Sequence, residues 1–223
     1  MSTSPQWEIR LRPAYYPAML DLAGRDALLV GGGEIAAQKA GPLLDAGVRL
    51  RVVAPELCSE LRARAEAGEL TWERREAGDD DVTGAAVVVC ATDDRDVNRR
   101  ISEAAGRAGI PVNVVDDPEL CSFIVPSIVR RGPLQVAIST GGRSPAFAKF
   151  MRQQLEAAVG EEYGELAVLA GEMRDRARAA GIGYEDRDRL AADALPELLA
   201  LLRSGRRAEA EALAASVAPG VRA

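Results

Sequence analysis

Hydrophobic and polar positions divide the chain into a first half of alternating strand and helix signals and a second half that is mostly helical. Asp26–Val30 is a short apolar run that ends in three glycines, and Glu34–Ala46 then carries a helical pattern stopped by Gly47. Residues 48–53 alternate as a strand, which Pro55 ends. Residues 56–67 read as a helix with Gly68 as its stop, and residues 70–74 as a weaker strand. Residues 85–90 are apolar throughout, the mark of a strand buried on both faces. A helix over 96–108 and a strand over 110–115 complete the series. Strands alternating with helices of this length predict an α/β fold built on a parallel sheet with both faces covered.

The pattern changes at Asp116-Asp117-Pro118. Residues 122–130 and 134–139 read as two β segments joined by an Arg131-Gly132-Pro133 turn. Ser144 and Pro145 supply an N-cap and a first helical residue. Phe147, Phe150, Met151 and Leu155 follow at helical spacing, and Tyr163, Leu166, Ala170 and Met173 predict the apolar face of a second helix. Leu190, Leu195, Leu198, Leu199 and Leu202 form a further helical set that Pro196 interrupts, and from Arg203 the tail reads as helix or as a frayed end. The expected organisation is an α/β domain over 1–118, a small β segment over 119–143 and a helical part over 144–223.

The glycines carry the first chemistry. Gly31-Gly32-Gly33-Glu34-Ile35-Ala36 fits G-x-G-x-x-A directly after a strand and at the start of a helix, the dinucleotide-binding fingerprint of Rossmann-like domains. Gly31 permits the tight turn, Gly33 lets a pyrophosphate approach the backbone, and Ala36 lets helix and strand pack. The helix start then offers free N–H groups to the phosphates. The acid that usually binds ribose at the end of the second strand is missing, since Val53-Ala54-Pro55 occupies that place. Glu56, about 20 residues beyond Ala36, is the candidate for the ribose hydroxyls. A solvated first-turn carboxylate on the next helix is the competing reading. No Arg is apparent where a 2′-phosphate clamp is expected. Ala91 and Thr92 leave the fourth strand where an open sheet meets its ligand, and Asp93 reads as an N-cap.

Composition narrows the chemistry further. With 28 Lys+Arg against 34 Asp+Glu the net charge is -6, which argues against a general nucleic-acid binder. The chain has no histidine, so Ser-His-Asp triads, Cys-His dyads and His-ligated metal sites are excluded. Three widely separated cysteines, Cys58, Cys90 and Cys121, predict no disulfide framework and a reducing, cytoplasmic setting. The opening Met1–Pro5 lacks a leader pattern, and no run is long enough to span a membrane.

Asp116 stands at the end of the fifth strand, on the same edge as the glycines. In a chain without histidine it is the best available general base or metal contact, unless Asp116 or Asp117 merely opens the turn before Pro118. From Leu120 to Leu155 there is no Asp or Glu, while Arg130, Arg131, Arg143, Lys149 and Arg152 all fall there. Such a one-signed segment in an acidic protein suits a polyanionic ligand, or else is a solvated or subunit-facing surface. Thr140-Gly141-Gly142-Arg143 adds small polar groups and backbone at a helix start, well suited to carboxylates.

Together, Val30–Lys39, Ala91–Asp94 with Asn98, Asn113–Asp116, Ser122–Ser127, Pro133–Gly142 and Ser144-Pro145 resemble the precorrin-2 dehydrogenase and sirohydrochlorin ferrochelatase family of sirohaem biosynthesis, over residues 14–160. Tyr16–Leu22 fits the segment before the first strand. The resemblance implies oxidation of precorrin-2 to sirohydrochlorin with NAD⁺ as hydride acceptor; in some members the same site also inserts Fe²⁺. It implies Asp116 as the key carboxylate, Glu34, Ile35, Pro55 and Glu56 at the cofactor, and Ser122, Thr140, Gly141, Arg143 and Lys149 toward the tetrapyrrole carboxylates. It also implies a homodimer built on the β segment. Thr140 stands where some members have Ser, and methylation of the precursor is expected of another protein. The reading that competes with an enzyme is a non-catalytic nucleotide-binding module of a transport system, which has no counterpart to Ser122–Gly142.

Overall fold

The computed structural model describes residues 15–217, so Met1–Pro5 and the end of the tail lie outside the described residues. The chain divides into two units, one running to Val125 and one starting at Pro126.

The first unit runs β1 (Asp26–Val30), α1 (Glu34–Asp45), β2 (Arg49–Val53), α2 (Ser59–Glu66), β3 (Leu70–Glu73), β4 (Val87–Cys90), α3 (Arg95–Ala108) and β5 (Val112–Val114). The five strands are parallel in the order β3-β2-β1-β4-β5, so the sheet reverses direction of growth between β1 and β4. Alternation along β1 explains why both faces are covered. Ala27 and Leu29 pack with Ala36, Ala37 and Ala40 of α1 and Leu61 of α2. Leu28 and Val30 pack on the other side with Ile101, Ala104 and Ala105 of α3. A strand apolar at every position is what such two-sided burial requires.

Two predicted starts move by three or more residues. The helix expected from Glu56 begins at Ser59, which leaves Pro55 and Glu56 in an exposed connection. The β segment expected from Ser122 begins at Ser127. Residues 121–123 instead lie along β5, the edge strand, and satisfy its outer backbone groups. Ser122 N donates to Val112 O (2.9 Å), and Val112 N donates to Ser122 Oγ (2.8 Å). A sheet edge covered in this way no longer templates further pairing.

The second unit holds the antiparallel hairpin β6 (Ser127–Arg131) and β7 (Leu134–Ile138), then α4 (Pro145–Ala158), α5 (Glu162–Ala179), α6 (Tyr184–Arg203) and α7 (Arg207–Ser216). The hairpin turns on Gly132, whose φ of 51° suits the first central position of a tight turn before Pro133. Helix α5 comes down on that turn through Gly164, where a β-carbon would stand 2.7 Å from the Arg131 carbonyl. Arg131 caps the end of α4, donating to Val159 O (2.9 Å) and Glu156 O (3.0 Å). The helical core joins Leu169 and Met173 to Ala194, Leu198, Ala210 and Ala214. The face predicted from Tyr163, Leu166, Ala170 and Met173 is therefore rotated toward Leu169, and Tyr163 instead accepts a hydrogen bond from Arg203 at 3.0 Å. Helix α6 passes through Pro196 unbroken. Pro196 and Ala192 are both exposed, so the carbonyl that loses its partner faces water. In the tail, Arg207–Ser216 is helical. Among the described residues no helix is long and apolar enough to cross a membrane.

Candidate active site

One cross-strand row defines the site. Val53, Val30, Cys90 and Val114 are register partners across four strands, so everything that follows them leaves the same carboxyl edge of the sheet. The continuing backbone keeps the row tied together: Gly31 N donates to Val53 O (3.1 Å), Ala91 N to Val30 O (2.7 Å) and Val115 N to Cys90 O (2.9 Å). The glycine loop, Pro55-Glu56, Ala91-Thr92 and Asp116 therefore share one edge at the point where the sheet reverses, which is where open α/β sheets hold ligands.

The three glycines have three different reasons. Gly31 has a φ of 115°, and a β-carbon there would meet Ala91 O at 2.3 Å. At Gly32 a β-carbon would meet Glu56 O at 1.9 Å, while Cys58 N donates to Gly32 O at 2.7 Å. Gly33 has nothing within 4 Å of that position. Gly31 and Gly32 let the loops pack, and Gly33 leaves bare backbone facing open space at the N-terminus of α1. No side chain caps that helix end, and Ala36 behind it is fully buried against the strands. The arrangement fits a pyrophosphate, which would take the free amides of the first turn. Glu34 and Ile35 are exposed beside it, Ile35 at 46%.

The second strand end is fixed by Trp72, whose Nε1 donates to Ala54 O (3.0 Å). Arg62 and Arg74 lie over the Trp72 ring at 5.6 and 5.9 Å, so both guanidinium groups are stacked on that indole. Glu56 is exposed and lies in no helix, which removes the reading of it as a first-turn residue of α2. At the fourth strand end Asn98, nine-tenths buried, donates from Nδ2 to Thr92 O (2.8 Å) and holds that connection in place. The N-cap of α3 is Asp94, accepting from Asp96 N and Val97 N, and not Asp93, which is exposed.

At the fifth strand end the two aspartates separate. Asp117 pairs with Arg95 (3.1 Å) and is mostly covered. Asp116 is exposed and has a φ of 59°, the one positive φ among described residues other than glycine. Left-handed backbone costs about 1–2 kcal/mol for most side chains and is tolerated best by Asn and Asp. Cys90, within the row, has its thiol pushed up to about 12 by burial and by nearby Cys121, so it stays neutral. Among the described residues no three His, Cys, Asp or Glu gather as a metal site.

The candidate substrate residues fall into two groups. Ser122 is engaged with Val112, as described above. In the second unit, Thr140 Oγ1 accepts from Ser144 N (3.0 Å) and donates to Ser144 O (3.2 Å). Gly141 and Gly142 both have positive φ, and Arg143 N closes their turn onto Thr140 O (3.2 Å). Within the acid-free stretch, Arg131 and Arg152 are taken by local partners, whereas Arg143 and Lys149 are exposed with no ion pair among the described residues. Arg131 is thus a structural cap that sequence could not tell from a ligand contact.

This is an NAD(P)-binding Rossmann-like domain followed by a segment of sirohaem-biosynthesis type. The NAD(P)-binding family model matches residues 18–127, and the model of the sirohaem biosynthesis protein central region matches residues 131–158. A siroheme synthase of Nitrosospira multiformis is 48% identical over 168 residues, covering 74% of this chain and 36% of that protein. Siroheme synthase 1 of Aeromonas salmonicida is 44% identical over 205 residues, covering 90% of this chain and 43% of that protein. The solved structure of SirC, a precorrin-2 dehydrogenase, superposes with a TM-score of 0.67 at 29% identity and covers 80% of this chain and 88% of that one. The chain belongs to the sirohaem-biosynthesis family that these proteins represent. It spans little more than a third of the siroheme synthase of Nitrosospira multiformis.

Proposed function

We propose that the protein oxidises precorrin-2 to sirohydrochlorin, with NAD⁺ as the electron acceptor. The observation that carries this reading is the shared sheet edge, which brings bare backbone at Gly33 and an exposed, left-handed Asp116 to one end of a dinucleotide fold. The siroheme synthase and precorrin-2 dehydrogenase relatives point to the substrate class. Bound NAD⁺ supplies a hydride acceptor. The remaining work falls to this chain. Gly31, Gly33, Glu34 and Ile35 hold the phosphate side of the cofactor, Pro55 and Glu56 its ribose, and Ala91 and Thr92 line its other side. Glu56 favours NAD over NADP, because a carboxylate accepts from ribose hydroxyls and repels a 2′-phosphate. Asp116 takes the proton that leaves as the macrocycle loses two electrons, which a carboxylate does as a general base in the absence of histidine.

Ser122, Thr140, Gly141, Arg143 and Lys149 recognise the acetate and propionate groups in this reading. Arg143 and Lys149 do so by charge, Gly141 by its backbone. We take residues 1–118 as the cofactor domain, 119–143 as a dimerisation segment and 144–223 as the helical part. A two-stranded hairpin is marginal by itself, and Phe147 and Phe150 on α4 are half exposed with their rings 6.3 Å apart, which supports burial against a second copy. The setting is the cytoplasm.

An anaerobic absorbance assay with precorrin-2 and NAD⁺ tests the proposal. Sirohydrochlorin and NADH formed together support it, and a folded, NAD⁺-binding protein that makes no NADH overturns it in favour of a non-catalytic nucleotide-binding module. Adding Fe²⁺ as a second substrate extends the test to metal insertion, read as conversion above the rate without enzyme.

A further inference from the structure

Asp116 occupies the third position of the turn Val114–Asp117, the place where positive φ normally calls for glycine. The hydrogen bond that should close this turn, Asp117 N to Val114 O, is long at 3.4 Å. Something else must hold the conformation, since a left-handed side-chain residue persists only where its surroundings over-determine it. One sulfur touches both ends of the turn. Val114 N donates to Cys121 Sγ (3.1 Å), and the thiol is within donating distance of both Val114 O (3.2 Å) and Asp117 O (3.3 Å). Asn113 Nδ2 reaches the same sulfur at 3.5 Å. The 3₁₀ turn Pro118–Leu120 folds the chain back so that Cys121 arrives beneath the turn it clamps. On the far side Arg95 holds Asp117 at 3.1 Å and Cys90 O holds Val115 N at 2.9 Å.

We propose that Cys121 is a positioning residue for Asp116, its thiol stapling the ends of the turn that presents the reactive carboxylate. This rests on the reading of Asp116 as the proton acceptor. The thiol acts through short-range bonds to backbone that the carboxylate cannot make for itself. The cofactor edge at Gly33 and Glu56 is built from other strands and does not depend on it.

The test is steady-state kinetics and NAD⁺ binding on the full chain with Cys121→Ala, Cys121→Ser and Cys121→Val, each also in an Asp116→Asn background. Misplacing a reacting group by about 1 Å costs up to roughly a hundredfold. Cys121→Ala should lower kcat at least about tenfold, with the NAD⁺ Kd unchanged within about twofold. Cys121→Ser, which keeps a donor and an acceptor, should recover most of kcat. In the Asp116→Asn background Cys121→Ala should add no further loss. Wild-type kcat in Cys121→Ala, or equal losses in kcat and NAD⁺ affinity, overturns the proposal. Should the alanine variant not fold, Cys121→Val keeps the volume without the bonding and must show the same split. An active Asp116→Asn enzyme overturns the underlying reading instead, so the two failures are distinguishable.

Discussion

The Glu56 carbonyl oxygen stands 1.9 Å from where a β-carbon on Gly32 would be placed. The middle glycine of the loop is therefore spent on packing against the connection after β2, and Gly33 alone leaves open space. The two positions should fail differently. Gly32→Ala forces the Glu56 backbone away and lowers the melting temperature, with a cost of order 1–3 kcal/mol for an overpacked site. Gly33→Ala leaves the melting temperature of the unliganded protein almost unchanged and weakens NAD⁺ binding at least tenfold. Thermal unfolding with and without NAD⁺ separates them; equal behaviour of both variants contradicts the assignment.

Much of the first unit was legible because its signals are local. The short apolar runs at Asp26–Val30 and Val87–Cys90, bounded by turn residues, read as strands buried on both faces, and the glycine stops mark where helices end. The edge carrying Gly31, Ala91 and Asp116 follows from parallel strands alone. What sequence could not show depends on through-space packing. The reason for Gly32 lies 24 positions away in the Glu56 carbonyl. In the sequence Cys121 is only one of three widely separated cysteines, and its role shows only when its sulfur is seen on the Val114 backbone. Arg131 and Arg143 are alike in sequence, yet one caps a helix and the other has no ion pair among the described residues. In the helical part Leu166 and Met173 do meet the core, but Leu169 and Ala177 lie deeper than the predicted Tyr163 and Ala170, since an apolar stripe fixes a face only to within a residue.

Arg143 offers the cleanest test of the anionic substrate. Its guanidinium is exposed and has no ion pair among the described residues, so replacing it breaks nothing in the fold. Arg143→Glu should raise the KM for precorrin-2 about tenfold or more, as loss of a charge-assisted contact of ~1.5–3 kcal/mol predicts, while the KM for NAD⁺ holds steady. An unchanged precorrin-2 KM removes Arg143 from the site.

Glu56 is the exposed carboxylate on the connection after β2, whereas Arg62 and Arg74 lie over the Trp72 ring. Glu56→Gln removes the charge that repels a 2′-phosphate. It should narrow the ratio of NAD⁺ to NADP⁺ affinity, measured by direct titration. A ratio that stays as it was shows that Glu56 does not read the ribose.

Acid sensitivity should be traceable to Asp81. This carboxylate is 7% exposed and bonds to Arg75 (2.6 and 2.8 Å), Gly78 N (2.7 Å) and Arg51 (2.9 Å). The hydrogen bonds from Arg75, helped by Gly78 and Arg51 and opposed by burial, hold its carboxyl well below the usual carboxylate range. A depressed native pKa means that the unfolded chain binds the proton more readily. The contribution to stability is thus present above the unfolded value of about 3.9 and is lost as pH falls below it toward the native value. Asp81→Asn should lower stability at pH 7, and the gap to the parent protein should close as denaturation is followed down through pH 4. A gap constant with pH shows that the network does not carry the acid response.

Asp116 lets chemistry and conformation be separated at one position. Its φ of 59° is tolerated by Asn, free of cost for Gly and unfavourable for Ala by about 1–2 kcal/mol. Stability should therefore follow the backbone, with Asp116→Asn near the parent, Asp116→Gly equal or higher, and Asp116→Ala lowest. Turnover should follow the carboxylate and fall in all three by roughly 10²–10⁴-fold, the usual value of a general base. The two orders differ, and the difference is the test. A turnover series that tracks melting temperature makes Asp116 a turn residue, whereas uniform loss of turnover across variants of unequal stability identifies the carboxylate itself as the group that moves the proton.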